Sequence, residues 1–474
     1  MRGLHRLWWV ASLSAAALLV AGSLNFLTAA ADDPAPAKGE EVAKKEEVKE
    51  GEKPALSKDD EYYELMRIFA DSFEEIDRNY VTGVDRRKLV EAAVRGMLVE
   101  LKDPYSNYIN PEEVTEFNEA VEQEFGGVGI QVRFDEPERS IVVTSPLPGS
   151  PAYKAGIQSG DRVVEIEGKP VKDFPVGKEM QTAIKMLKGD AGVTVSFGYK
   201  RGASDEIKKV SMKREIIQLD TVLGEVHKPD GTWDFMIDPE NKIAYVRLTH
   251  FTSRSATEMR DALKTLKAAG MKGMILDLRF NPGGFLQSAI QIADLFVDEG
   301  KIVSTEGRNS PERVWTAKKF GTYSGFPMAI LVNRFSASAS EIVSACLQDH
   351  NRAIVVGERS WGKGSVQNVM DVEDGKSKLK LTIATYHRPS GKNIHRSPDD
   401  DEKDEWGVKP NDGYQVRFTN EEMREYQVIR QMKDSRAEGH EKAKFDDKQL
   451  DKAIEYLRQE IAKKPAADET KDAA

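Results

Sequence analysis

The sequence predicts a multi-domain chain of α/β and β segments flanked by helices. Three successive textures carry that reading. From Tyr62 to Leu101 apolar residues recur at helical spacing. Between about 126 and 215 short apolar runs alternate with glycine turns, the mark of a small β-rich domain. From 242 onward apolar strands alternate with helical stretches, which implies βαβ units and a largely parallel sheet. The 474 residues leave room for about three domains. A content of 39% hydrophobic and 31% charged residues supports real cores joined by polar connectors.

The N-terminus reads as an export signal. Arg2, His5 and Arg6 precede an uncharged run over 7–27, and Ala29, Ala30 and Ala31 supply small residues before Asp32. A basic start, an apolar stretch and a small-residue site are the parts of a secretory signal. The run is also long enough to span a bilayer. Residues 1–31 are therefore predicted as a signal peptide, or as a signal anchor where cleavage fails. The protein is expected to be exported: periplasmic, or membrane-anchored facing outward. Residues 32–58 mix dense charge of both signs with recurring proline, a composition that cannot bury enough surface to fold, and read as a flexible charged linker.

The elements follow in order. An amphipathic helix carries Tyr62, Leu65, Met66, Phe69, Phe73, Ile76 and Tyr80 on one side. A second starts near Asp85, presents Leu89, Ala93, Met97 and Leu101, and stops at Asp103-Pro104. These form an N-terminal helical region over 59–125. In the β-rich domain, 126–215, strands are predicted at 140–144, 161–166 and 192–197. In the core, 216–420, they are predicted at 243–248, 274–278, 329–332 and 354–356, with helices near 255–269, 286–297 and 339–348. A C-terminal extension, 421–474, holds a helix at about 420–433 and another with Leu450, Ala453, Ile454, Leu457 and Ile461 on one face.

Composition removes several function classes. Lys plus Arg is 69 against 79 Asp plus Glu, a net charge of −10, so nucleic acid is not an expected partner. The single cysteine, Cys346, excludes an intramolecular disulfide framework, a CxxC redox site and cysteine-ligated zinc. No HExxH or similar spacing calls for a metal, and no motif calls for a cofactor. The seven histidines sit in polar, loop-like or helix-terminal contexts, and no GxSxG elbow supports a Ser-His-Asp set.

Three segments fall where ligands gather in open α/β sheets, at the carboxyl ends of strands. In Asp277-Leu-Arg-Phe-Asn-Pro-Gly-Gly284 the glycines let N–H groups face outward, as an oxyanion hole requires, although a plain βα turn has the same composition. Ser336, Ser338 and Ser340 lead into a helix, where positive potential helps a developing oxyanion and where serines also serve as caps. Lys363 stands between Gly362 and Gly364. If buried, its ammonium loses hydration and its pKa falls, which makes it a candidate general base. A Ser-Lys dyad is the better chemistry for this residue set. The local physics leaves the choice among the three serines open.

Taken together, LDLRFNPGG, NRFSASASEIVSACLQDHNRAIVVGE and SWGKGSVQ resemble, in order and spacing, the motifs of the carboxyl-terminal processing peptidases, or tail-specific proteases. The resemblance covers roughly 60–420 and implies a crotonase-like βα protease core with an inserted PDZ domain. It puts the nucleophile on Ser338, the general base on Lys363, the residue orienting that lysine on Gln367, and the oxyanion hole on the N–H groups of Gly284 and Ala339. The β-rich segment resembles the family's PDZ domain, with Gly126, Gly127, Val128, Gly129 and Ile130 as the loop that would hold a substrate's C-terminal carboxylate. Lys102 to Tyr108 matches the helical region before that domain. What this implies is an exported serine endopeptidase without cofactor, acting on proteins or peptides with exposed C-termini. An activating partner protein, an N-terminal membrane anchor and a homo-oligomer stay open. The acidic run 399–405 departs from the motifs and is expected to be a solvated loop at the cleft rim. Two other readings compete, an inert PDZ adaptor and an acyl-CoA-processing enzyme. The intact serine, lysine and glutamine disfavour the first, and the export signal and PDZ segment the second.

Overall fold

The computed structural model describes residues 58–228, 230–434 and 443–463. The predicted export signal and nearly all of the predicted charged linker lie outside the described residues, as does the end of the C-terminal tail. The chain divides into two units, 1–79 and 80–474. In the first, Lys58–Asn79 is one helix, with Asp59, Asp60 and Glu61 in its first turn and Arg78 in its last, signs that suit the helix dipole.

The second unit opens with the helix Arg86–Glu100, whose N-cap Asp85 accepts the N–H groups of Arg87 and Lys88. The predicted inward face of this helix is corrected: Leu98 is buried, whereas Met97 and Leu101 are exposed. Apolar residues lie on two sides of this helix, and spacing alone does not say which side meets the neighbouring strand Asn107–Ile109. A β-rich body follows, in which Ile130–Asp135, Ser140–Pro146, Arg162–Ile166, Thr194–Lys200 and Lys208–Lys213 are successive neighbours in one antiparallel sheet. Its core is built from Ile141, Val143, Val163, Ile166, Val195 and Phe197, with Ala183 and Leu187 of the helix Glu179–Leu187.

The strands Ile243–Leu248, Gly273–Asp277, Met328–Val332 and Ile354–Gly357 lie side by side and parallel. Every residue of the first three is buried, because both faces of the sheet are covered. The helices Ser255–Ala268, Leu286–Asp294 and Ala339–Asp349 cover one face. The C-terminal helix Lys448–Lys463 covers the other, setting Ala453 and Leu457 against Tyr245, Ile275, Ala329, Leu331 and Val356. A second sheet was not predicted. In it Asn107–Ile109, Ser377–His387, Lys301–Gly307 and Ser310–Thr316 are neighbours in that order, and Ser365–Val372 pairs with Ser377–His387 as a long hairpin. That hairpin carries Gln367 and, as shown next, side chains that reach the serine segment.

Candidate active site

Asn333 to Ser340 links a buried strand to a buried helix, and its three alternate serines have different fates. The Ser336 hydroxyl accepts from Asn333 N–H (2.9 Å) and donates to the Leu278 carbonyl (2.8 Å). The Ser340 hydroxyl donates to the Asn281 carbonyl (2.9 Å). Both side chains are fully buried and consumed in fixing the serine segment to the loop 278–281. Ser338 is half-buried, and its side chain engages only the first turn of its own helix, in a capping box with Glu341. It stands at the N-cap of Ala339–Asp349 with φ +56° and ψ −114°. A non-glycine residue rarely adopts this conformation, and strain of this kind concentrates where a side chain must be presented.

Lys363 sits in the loop between Ile354–Gly357 and Ser365–Val372. Burial, reinforced by the like charge of Lys380, lowers its ammonium from 10.5 to about 8, against the opposing pull of Glu341 and Asp103. Its Nζ lies 4.8 Å from the centre of the Tyr105 ring, a cation–π contact. The Tyr105 hydroxyl in turn accepts from Trp361 Nε1 (3.0 Å). Gln367 does not reach Lys363. Its amide nitrogen donates to the hydroxyls of Ser365 (2.9 Å) and Thr382 (3.0 Å), a cross-strand arrangement inside the hairpin.

The backbones around Ser338 and Lys363 share two side chains. Glu341 is fully buried, and its carboxylate accepts from Ser338 N–H (2.8 Å), Lys363 N–H (2.8 Å), Gly362 N–H (2.6 Å) and Ser360 Oγ (2.5 Å). Tyr386, also buried, donates its hydroxyl to the Lys363 carbonyl (2.5 Å), and that oxygen lies 3.1 Å from the Ser338 carbonyl. Against the serine segment 337–340 packs the loop Asn281 to Gly284. Asn281 donates to the Leu248 carbonyl and accepts from Gly283 N–H, and Gly284 bridges to Phe251. Neither Gly284 N–H nor Ala339 N–H donates to any group among the described residues. Both remain available to an oxygen arriving beside Ser338.

This combination can be set beside known proteins. Residues 242–411 match peptidase family S41, 142–201 match a PDZ domain, and 18–113 match the N-terminal domain of the activating protease CtpB. The carboxy-terminal-processing protease of Bartonella bacilliformis is 35% identical over 413 residues, covering 84% of this chain and 89% of that protein. The chain belongs to the carboxy-terminal processing proteases of family S41. It is a serine-type peptidase carrying a PDZ domain. The carboxy-terminal processing protease CtpA of Bacillus subtilis is likewise 35% identical over 361 residues, covering 76% of this chain and 70% of that protein. Among solved structures, the photosystem II D1 C-terminal processing protease aligns at 28% identity over 74% of this chain and 93% of that one, with a TM-score of 0.40.

Of the glycine-rich segment expected to hold a substrate's carboxylate, Gly126 and Gly127 lie in a strand, Glu124–Gly127, paired with Glu215–Gln218. Val128 and Gly129 form the turn, and Ile130 opens the next strand. The carbonyls of Val128 and Gly129 accept from Ala152 and Leu147 N–H, which fixes the turn against the segment 147–152. The acidic run 399–405 is more than a solvated loop. The guanidinium of buried Arg359 stacks on Trp406 and donates to the carbonyls of Glu402, Asp404 and Trp406, holding the run in place. With Tyr105, Phe335, Trp361 and Arg396 it lines a cavity of about 770 Å³ beside the Lys363 loop. Sequence reasoning missed Tyr105, Glu341, Lys380 and Tyr386. Only Glu341 left a local signal, a glutamate three residues after a predicted cap. Cys346 is buried and its thiol is pushed up to about 12, so it is no nucleophile at neutral pH.

Proposed function

We propose that the chain is an exported endopeptidase with a crotonase-like core that recognises C-terminal tails through its PDZ domain and cuts peptide bonds with a Ser338–Lys363 dyad. The observation that carries the reading is the contrast among the three serines: the Ser336 and Ser340 hydroxyls are fully buried and spent on the carbonyls of Leu278 and Asn281, whereas Ser338 is half-buried at a strained cap, its backbone tied through Glu341 to that of a lysine of depressed pKa. The neutral amine of Lys363, leaving the Tyr105 ring, takes the proton of Ser338 as Oγ attacks the scissile carbonyl. The N–H groups of Gly284 and Ala339 hold the oxyanion. Lys363 then gives its proton to the leaving amine, and in the second half it activates the water that releases the acyl group. Gln367 would orient Lys363 once its amide turns from Ser365 and Thr382. The four parallel, helix-covered strands support the crotonase-like reading. The basic start and apolar run of 1–31 support export, which N-terminal sequencing of the protein recovered from a fractionated host checks.

Purified protein and its Ser338→Ala twin, incubated with an unstructured protein bearing an apolar C-terminal tail, test the dyad by mass spectrometry of the fragments. The parent alone is expected to cleave. Cleavage by the twin removes Ser338 from the role. Because the neutral amine is the active form, kcat/KM is expected to rise about tenfold per pH unit below pH 8 and to level above it. A profile flat from pH 6 to 9 overturns the assignment of Lys363.

A further inference from the structure

We infer that Glu341 and Tyr386 are positioning residues that clamp the nucleophile and the base to each other through their backbones, an inference that rests on the Ser338–Lys363 reading. The dyad residues come from two loops that follow different strands of one sheet. Loops alone do not hold two reacting groups to the tolerance that proton transfer needs, and a displacement of about 1 Å costs on the order of 10²-fold in rate. Here the peptide units of both residues are gripped from two sides. Glu341 accepts the N–H of Ser338 and the N–H of Lys363 on the same oxygen, Oε2. Tyr386 lies against the carbonyl oxygens of the same two residues.

The protonation states on which the clamp depends follow from counting donors and acceptors. The hydroxyl of Ser360 accepts from Val408 N–H (2.6 Å) and leaves its one proton for Glu341, 2.5 Å away. Oε1 thus faces two donors, Ser360 and Gly362 N–H, and Oε2 faces two more. Burial pushes the Glu341 carboxyl up from its ordinary value, and the three backbone N–H groups and the Ser360 hydroxyl that converge on it favour the anion. Burial likewise raises the Tyr386 phenol well above its ordinary value, which keeps it a donor. The strained conformation of Ser338 is held from both ends: its N–H donates to the Glu341 carboxylate, and its C=O accepts from the N–H groups of Glu341 and Ile342 in the first turn of the helix.

Glu341 also bears on the chemistry through charge. The groups facing the Lys363 ammonium are Glu341 and Asp103, which favour its charged form, Lys380, which opposes it, and the ring of Tyr105. Removing the Glu341 charge therefore moves the acid limb of the rate profile to lower pH, whereas removing the Tyr386 hydroxyl leaves the limb in place. A merely structural role for Glu341 would leave the limb where it is, and one for Tyr386 would not lower kcat selectively.

The test compares full-length parent, Glu341→Gln, Tyr386→Phe and Ser338→Ala on one peptide substrate. Glu341→Gln is expected to lower kcat about 100-fold, with KM within about twofold and the acid limb displaced to lower pH. Tyr386→Phe, which keeps the ring and its packing, is expected to lower kcat about tenfold with the limb unmoved. Full activity in both variants beside an inactive Ser338→Ala overturns the clamp and leaves the dyad standing. Cleavage by Ser338→Ala overturns the dyad itself. A fall in activity carried by KM alone also overturns the clamp. Should Glu341→Gln not accumulate as folded protein, Tyr386→Phe decides: wild-type kcat refutes, a selective loss of kcat supports.

Discussion

Replacing Lys363 by methionine is expected to cut turnover by about four orders of magnitude while leaving the protein at least as stable as its parent. The size follows from the role: removing the base of a nucleophile–base pair leaves only binding and oxyanion stabilisation to act on the substrate. The unusual part is the stability. The folded value of this ammonium, about 8, lies below its ordinary 10.5. A depressed lysine costs folding free energy wherever it is charged in the folded state. That cost is complete below pH 8, shrinks between pH 8 and 10.5, and is gone above. Methionine fills nearly the same volume without a charge, so at pH 7 the cost disappears with the base. Thermal unfolding and single-turnover cleavage on the same preparation check both halves. A variant that loses activity and stability together points to a structural lysine instead.

What the sequence disclosed about the site was set by how far apart the participants lie along the chain. Ser338 and Lys363 sit in contiguous motifs and follow strands whose apolar runs are easily read. The observed strand Ile243–Leu248 coincides with its prediction, and Met328–Val332 and Ile354–Gly357 each differ from theirs by one residue. The partners that give those residues their properties arrive from elsewhere. Tyr105 and Asp103 come from the segment before the PDZ domain, and Lys380 and Tyr386 from a hairpin whose Asp374-Gly375 turn announces the hairpin but not which side chains reach the site. Helix ends also misled. The predicted helix over 286–297 stops at Asp294, and Leu295, Phe296 and Val297 continue the apolar run because they are buried in the core, not because they are helical. The choice among Ser336, Ser338 and Ser340 needed three hydrogen bonds that no local pattern contains.

The C-terminal segment has a larger part than its sequence suggested. Arg279, in the loop that leads to Gly284, is almost wholly buried and doubly bonded to Asp277. Its remaining donors go to Asp447 and Gln449 at the start of the last helix. Phe280, next in the chain and at φ +61°, is stacked between Phe335 and Tyr426 of the helix Asn420–Asp434. The loop carrying one oxyanion donor is thus braced by residues some 150 positions downstream. The extension belongs to the catalytic core mechanically even though the motifs end before it.

That bracing makes Gly283 a sensitive position for the site. Gly283 has φ +104°, and a Cβ placed there would stand 2.8 Å from Ser338 Cβ, 2.8 Å from the Ala337 carbonyl and 3.0 Å from Ala339 N. Two of these three contacts are with the nucleophile's residue and with the residue whose N–H is proposed to hold the oxyanion. None is the far end of a flexible side chain, so the loop and the serine segment must part. Gly283→Ala is therefore expected to lower kcat by about 10²- to 10³-fold, the loss found when one oxyanion donor is removed, with little change in KM. It is also expected to destabilise the fold by about 1–3 kcal/mol through the strained φ and the displaced contacts. Gly270→Ala separates the two effects. Its φ of +76° is also left-handed, but a Cβ there meets nothing within 4 Å. It is expected to cost about 1 kcal/mol of stability from strain alone, with kcat unchanged. If Gly283→Ala lost no more activity than Gly270→Ala, the oxyanion hole would have to lie away from the 281–284 loop.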